Sequence, residues 1–154
     1  MATFYFEDFE PGRIFEFKPK TVTAEEIVEF ARAFDPQPMH LSEAAGKASI
    51  LGGLSASGWH TSCLMMQMMI EAYVLQSASE GAPGIEDHAW KRPVLAGDTL
   101  GGRSTVISSR PLRSRPGIGI VNFAHRLENQ RGEVVLESKN PIMMRLRAGA
   151  GETP

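Results

Sequence analysis

Apolar residues recur at helical spacing in two stretches of the first half of the chain. The first stretch follows Thr23, and Glu26 three residues later completes the sequence pattern of a capping box, so we expect a helix from there to about Asp35. The second stretch covers about residues 57–77 and is apolar on nearly every side. This pattern predicts a buried central helix.

The second half of the chain changes to strands separated by turns. The predicted strands cover residues 85–94, 99–109, 118–129 and 133–146, and a shorter strand lies between residues 9 and 19. The last two long strands are joined by a Gln-Arg-Gly turn, which predicts an antiparallel hairpin. The order of elements predicts an α+β domain in which a sheet packs against the long helix. Because one sheet cannot cover a helix that is apolar all round, we expect a second subunit to cover the rest.

The length of 154 residues fits one domain, residues 1–154, with an ordered core at about 5–147 and a small polar tail at 148–154. The formal net charge of -2 offers no general attraction to nucleic acid, so we expect no such partner. No stretch reaches the length of a membrane span, and the start lacks the pattern of a signal peptide, so we expect a cytoplasmic protein without a membrane partner. Cys63 is the single cysteine, and its apolar neighbours favour an inert, packed thiol.

Two titratable side chains, Asp35 and His40, lie five residues apart and are separated by Pro36 and Pro38. Proline ends a helix, so the chain is expected to leave the first helix in extended form and to bring both side chains to one place. A rigidly spaced acid and base is what catalysis by proton transfer requires. The alternative from spacing alone is a residue at a helix end and an unrelated loop histidine.

A loop of small residues enters the second helix at Ser57 and Gly58. Amides at the N-terminus of a helix carry partial positive charge and can stabilise a developing oxyanion, and Gly58 lacks a side chain that would keep a substrate carbonyl away. The alternative is simple capping by Ser57, with Gly58 as a packing residue.

Three segments resemble the MaoC-like dehydratase and (R)-specific enoyl-CoA hydratase family. They are Phe30-Ala31-Arg32-Ala33-Phe34-Asp35-Pro36-Gln37-Pro38-Met39-His40, Ala56-Ser57-Gly58-Trp59-His60-Thr61 and Arg92-Pro93-Val94-Leu95-Ala96-Gly97-Asp98-Thr99-Leu100. The resemblance extends over about residues 5–147 and implies a hotdog fold, in which a curved antiparallel sheet wraps a long central helix and two subunits pair. The third segment is shared across hotdog proteins and bears more on fold than on reaction.

By position, the resemblance implies that Asp35 and His40 are the catalytic residues and that the Gly58 amide binds the thioester carbonyl. It implies syn addition of water to an enoyl-CoA, with coenzyme A as part of the substrate and with no metal or other cofactor. The family often has glycine, asparagine and an aliphatic residue where this chain has Phe34, Gln37 and Met39, respectively. The bulky Phe34 bears on the acyl chain that the site would accept.

Other residues are weaker candidates for substrate binding. They are Ser57, Trp59 and His60 at the start of the second helix, and Arg110, Arg113 and Arg115, which are candidates for binding the coenzyme A phosphates. For His60, a hydrogen-bonded interior histidine is the alternative, and for the arginines it is a solvated loop. The spacing of His, Cys, Asp and Glu matches no metal-binding motif, so we expect no metal site.

The predicted function is therefore a hydratase or dehydratase acting on an enoyl thioester, with acyl-CoA as its substrate and a homodimer or higher homo-oligomer as its assembly. One alternative is a hotdog acyl-CoA thioesterase, in which a carboxylate activates water toward the carbonyl. Another is a non-catalytic acyl-CoA-binding or dimerisation subunit.

Overall fold

The computed structural model describes residues 2–148, and the predicted tail lies outside the described residues apart from Ala148. The helices are α1 (Ala24–Phe34), α2 (Glu43–Ala48) and α3 (Gly58–Ala72). The strands are β1 (Ile14–Glu16), β2 (Lys20–Thr21), β3 (Glu86–Trp90), β4 (Thr99–Pro111), β5 (Ile118–Glu128) and β6 (Val134–Arg145). The strands form an antiparallel sheet in the order β1-β4-β5-β6-β3, with β2 paired to β4. The predicted α+β architecture and the β5-β6 hairpin are confirmed.

Helix α1 begins and ends where the sequence predicts. The Thr23 hydroxyl accepts a hydrogen bond from the Glu26 amide, and the Glu26 carboxylate accepts one from the Thr23 amide, both at 3.2 Å. These bonds satisfy two amides that would otherwise lack a partner at the helix start. Asp35 leaves the helical conformation with φ −150°, immediately before Pro36. The capping pattern and the proline therefore set both ends of α1.

Helix α3 ends at Ala72, earlier than the predicted end near residue 77. Tyr73 turns away from the helix because its side chain is fixed to the sheet. Its ring stacks on Phe123 with 5.3 Å between centroids, and its hydroxyl donates to Ser104 Oγ at 3.2 Å. The chain continues as a 3₁₀ turn at Val74–Gln76.

The two faces of α3 have different surroundings. The inner face packs against the sheet through Leu64, Met65, Met68 and Met69. The outer face carries Trp59, which is 58% exposed, together with Cys63 and Met66. The prediction that Cys63 is a packed thiol is therefore wrong within one chain, because Cys63 lies on the outward face of α3. For the same reason, one chain buries only part of this apolar helix.

The core continues into the sheet, where buried and partly exposed residues alternate along the whole of β5. A chain of polar side chains crosses it: Ser104 Oγ is 2.8 Å from His125 Nδ1, and His125 Nε2 is 2.6 Å from Asn140 Oδ1. Burial lowers the pKa of His125. Its neutral ring can donate to Asn140 and accept from Ser104, so these polar groups have partners despite their burial.

Candidate active site

Asp35 and His40 come together at the end of α1. After Pro36, a 3₁₀ turn at Pro38–His40 reverses the chain, and the His40 amide donates to the Gln37 carbonyl at 2.9 Å. This turn brings His40 Nε2 to 3.5 Å from Asp35 Oδ2. The two prolines and the turn thus place the Asp35 carboxylate and the His40 imidazole side by side.

The other ring nitrogen of His40 fixes the orientation of the imidazole. His40 is buried, and its Nδ1 lies 2.6 Å from the Ser55 carbonyl oxygen. A carbonyl oxygen only accepts, so Nδ1 carries the hydrogen and the neutral ring presents a lone pair on Nε2. Asp35 Oδ2 and His40 Nε2 are then two neighbouring acceptors. One water molecule, which has two hydrogens to donate, can satisfy both.

The loop that holds Ser55 is itself fixed by backbone hydrogen bonds. The Ser55 amide donates to the Met39 carbonyl at 3.2 Å, and the Ala56 amide donates to the Val94 carbonyl at 2.8 Å. The long loop after α1 is therefore connected both to the His40 turn and to the segment that follows β3. These contacts keep the Ser55 carbonyl at the ring nitrogen of His40.

Polar neighbours hold Asp35 in its ionised form. The Ser57 hydroxyl and then the Gln37 amide, which donates to Asp35 Oδ1 at 2.8 Å, lower the pKa of Asp35, and a positive charge on the His40 ring lowers it further. Desolvation acts in the opposite direction. Ser57 Oγ is nonetheless buried without a partner at hydrogen-bond distance and angle among residues 2–148. Its effect on Asp35 is therefore that of a nearby dipole rather than of a formed hydrogen bond.

A cavity of about 240 Å³ lies beside His40 at the start of α3. Gly58, the first residue of the helix, lines it, and an amide at this helix position has no intrahelical partner. The Trp90 ring covers Gly58 so closely that a Cβ atom on Gly58 would lie 2.7 Å from two ring carbons. No side chain fits at residue 58 while Trp90 keeps this position. Glycine is required here by close packing.

The remaining predicted residues of the second helix lie in different surroundings. Trp59 points outward and makes an edge contact with Trp90, with 5.2 Å between ring centroids. His60 is buried and stacks on Phe30 at 4.7 Å, with its Nε2 lying 3.9 Å from Glu26 Oε1. Burial lowers the pKa of His60, although the Glu26 carboxylate opposes this. Within one chain, His60 thus contacts α1 rather than the cavity.

The three predicted arginines do not line this cavity. Arg110 is near the end of β4, and Arg113 and Arg115 are in the turn before β5. Arg110 and Arg113 line a separate pocket at that turn.

Trp90 is a cavity residue that the sequence did not indicate. It directly precedes Lys91-Arg92-Pro93, 32 residues after Gly58, and no short motif connects the two positions. The pairing of β3 with β6 brings Trp90 to α3. A sequence pattern of alternating residues predicts the strand but not which helix residue it covers.

Comparisons with known proteins agree with this architecture. A solved MaoC-like dehydratase from Rhodospirillum rubrum is 38% identical, with a TM-score of 0.85, over 93% of this chain and 97% of that one. A Mycobacterium tuberculosis protein with a double hotdog fold is 16% identical, with a TM-score of 0.78, and this chain covers 46% of its length. The second likeness concerns the fold alone.

A curated relative is a mesaconyl-CoA hydratase from Cereibacter sphaeroides, 38% identical over 71 residues, which are 46% of this chain and 20% of that protein. Among residues 2–148, no helix is long and apolar enough to cross a membrane. The family model described as the MaoC like domain matches residues 8–122. With this match over most of its length, the chain belongs to the MaoC-like domain family and has the hotdog fold of its structural relatives.

Proposed function

We propose that the protein adds water to the 2,3 double bond of an enoyl thioester, most simply an enoyl-CoA, or removes it in the reverse reaction. The observation that carries this proposal is the pair of acceptors, Asp35 Oδ2 and His40 Nε2, which lie 3.5 Å apart next to a cavity lined by Gly58. Such a pair can orient one water and take its proton. The family's dehydratase and hydratase relatives support the same reaction class.

In this reaction the water oxygen attacks the β-carbon of the substrate while its hydrogens face Asp35 and His40. The pair accepts one proton from the water and returns it to the α-carbon, so one C–O and one C–H bond replace the π bond of the alkene and one O–H bond of the water. Negative charge develops on the thioester oxygen, where the Gly58 amide donates a hydrogen bond. All atoms come from water and substrate, so the balance requires no cofactor beyond the coenzyme A that the substrate carries.

The proposed assembly is a cytoplasmic homodimer. The outward face of α3 exposes apolar side chains, including Trp59 and Met66, and exposed apolar patches of this kind mark interaction surfaces. In the double hotdog protein from Mycobacterium tuberculosis, one chain is about twice as long as this one. A second copy of this chain would take the place of the second domain. Light scattering of the wild type and of Met66→Glu tests this: a monomeric wild type would contradict the proposal.

The reaction is tested by the loss of enoyl absorbance with short and medium trans-2-enoyl-CoA esters. Asp35→Asn and His40→Ala should each lose about 10²–10⁴-fold in kcat, because positioned proton transfer contributes this much. Asp87→Asn is the matched control, since Asp87 is exposed and paired with Lys139, and it should retain wild-type activity.

A parallel measurement of free thiol separates the alternatives. A thioesterase would release coenzyme A, and a binding subunit would change neither signal. The proposal fails if the wild type is inactive on every ester, or if both variants match it.

A further inference from the structure

Three hydrogen bonds meet at Ser62, one turn into α3. The Ser62 hydroxyl donates to the Gly58 carbonyl at 3.1 Å, and the Trp90 indole N–H donates to Ser62 Oγ at 3.1 Å. His88 Nε2 lies 2.8 Å from the same oxygen. Because the single hydrogen of the hydroxyl is directed at Gly58, His88 Nε2 carries a hydrogen and donates it. Ser62 thus connects strand β3 to the first turn of α3.

The same order of donors extends back to strand β6. His88 Nδ1 lies 2.8 Å from Ser138 Oγ. Burial lowers the pKa of His88, so its ring is neutral at pH 7. With the hydrogen on Nε2, the lone pair on Nδ1 accepts from the Ser138 hydroxyl. Ser138, His88 and Ser62 therefore all donate toward the Gly58 carbonyl, and hydrogen bonds that follow one another in this way strengthen each other.

The Trp90 ring restrains Gly58 from a second direction. A Cβ atom on Gly58 would lie 2.7 Å from two carbons of this ring, so the ring packs against the side of the residue from which a side chain would project. Side chains project from the side of a helix, whereas backbone N–H groups are roughly parallel to its axis. The ring therefore restricts Gly58 without occupying the direction of its N–H. Glycine has more backbone freedom to lose than any other residue, so such a restraint matters most here.

We propose that Ser62 is a positioning residue: together with His88 and Trp90, it holds the first turn of α3 so that the Gly58 amide points at the thioester oxygen. This inference rests on the proposed function, which assigns the Gly58 amide to that oxygen. Ser62 and His88 do not line the cavity, so they act through Gly58 rather than on the substrate. A donor stabilises a developing oxyanion most when it is already in place and does not have to reorganise. The three hydrogen bonds at Ser62 supply that restraint.

Ser62→Ala removes the hydroxyl at which the three hydrogen bonds meet. Its kcat should fall by about 10- to 100-fold with KM unchanged, because a misplaced oxyanion donor weakens binding of the transition state rather than of the substrate. Ser62→Thr should keep most of the wild-type kcat, since a threonine hydroxyl in a helix can donate to the carbonyl four residues earlier. Ser108→Ala is the control: Ser108 is an exposed serine that accepts from Asn122, and its loss should leave kcat unchanged.

A double-mutant cycle distinguishes positioning from a general loss of stability. His88→Ala should lower kcat less than Ser62→Ala does, and the double variant should lower it no further than Ser62→Ala alone, because His88 acts only through Ser62. Losses that multiply in the double variant, or a wild-type kcat in Ser62→Ala that is folded by circular dichroism, overturn the inference. If Ser62→Ala does not fold, a wild-type kcat in folded His88→Ala overturns it equally.

The order of donors is tested by nitrogen-15 NMR of the wild type at pH 7. Neutral His88 should carry its hydrogen on Nε2. A hydrogen on Nδ1 would reverse the order of donors and overturn the inference.

The absorbance of bound 2,4-hexadienoyl-CoA separates this inference from the proposed reaction. A hydrogen bond to the thioester carbonyl polarises the conjugated chain, so binding should move the absorbance to longer wavelength, and Ser62→Ala should reduce this shift. Both proteins carry Asp35→Asn to prevent turnover, so the shift is measurable even if the wild type is not a hydratase. A Ser62-dependent shift in an inactive protein supports the inference while the reaction fails. An equal shift with and without Ser62→Ala, or no shift at all, overturns the inference whatever the activity.

Discussion

Ser57 is a buried polar residue whose replacement should affect stability and catalysis differently. Its side chain is fully buried, and its hydroxyl has no hydrogen-bond partner among the described residues. It nevertheless has the largest influence in lowering the pKa of Asp35. Ser57→Ala removes the hydroxyl and leaves the backbone of the α3 N-terminus intact. The variant therefore separates two effects of the hydroxyl: the free energy lost by burying it without a partner, and the stabilisation that it gives to ionised Asp35.

The expected magnitude follows from these two opposing contributions. An unsatisfied buried hydroxyl costs about 1–3 kcal/mol, which Ser57→Ala recovers at every pH. Ionised Asp35 has a pKa below its ordinary value of 3.8, so its interactions stabilise the folded protein above that pH, and this stabilisation disappears as the pH falls through the lowered pKa. At pH 7 the two contributions oppose each other, so the change in the free energy of unfolding should be smaller than at acidic pH. Once the pH falls below the lowered pKa of Asp35, only the recovered desolvation remains, and the variant should be about 1–3 kcal/mol more stable than the wild type.

Urea unfolding between pH 3 and pH 7 measures this difference, and the carboxyl carbon shift of Asp35 in NMR spectra reports its pKa, which should rise in the variant. Ser104→Ala is the matched control. Ser104 is equally buried, but its oxygen contacts both Tyr73 and His125, so its loss should cost about 1–3 kcal/mol. If Ser57→Ala is destabilised by more than about 1 kcal/mol throughout the pH range, its hydroxyl has a partner and the reasoning is wrong.

Two further substitutions test the surroundings of the site. Gln37→Leu removes the amide that donates to Asp35 Oδ1, so the pKa of Asp35 should rise. In a plot of kcat/KM against pH, the acidic limb should then move to higher pH. A limb that stays in place would refute the role of Gln37. Gly46→Ala would place a Cβ atom 2.2 Å from the Gly53 backbone, so it should lower the free energy of unfolding by about 1–3 kcal/mol or more. Gly84→Ala is the control, because the space around Gly84 is open and its stability should not change. Equal thermal stability of the two variants would contradict this prediction.

The local sequence determined those helices, turns and hairpins whose ends are set by residues close together in the chain. Thr23 and Glu26 specify the start of α1 by hydrogen-bonding each other's amides, and Pro36 specifies its end. The same prolines made Asp35 and His40 recognisable as a pair, because restricted backbone angles act over a few residues. The β5-β6 hairpin was predictable for the same reason, since a short turn defines its pairing.

Only the tertiary structure decided which residues surround that pair. The Ser55 carbonyl orients His40 from 15 residues away, and Trp90 reaches Gly58 only because β3 pairs with β6. The exposure of Cys63 was likewise mispredicted, because an apolar pattern on every side of a helix does not say which side faces its own sheet. Hydrophobic patterning measures the tendency of a side chain to be buried, whereas the identity of its neighbour depends on strand pairing and helix rotation over the whole domain. The sequence by itself therefore predicted that Asp35 and His40 come together, and the folded chain determined the orientation of the His40 imidazole, the contact of Trp90 with Gly58 and the size of the cavity beside them.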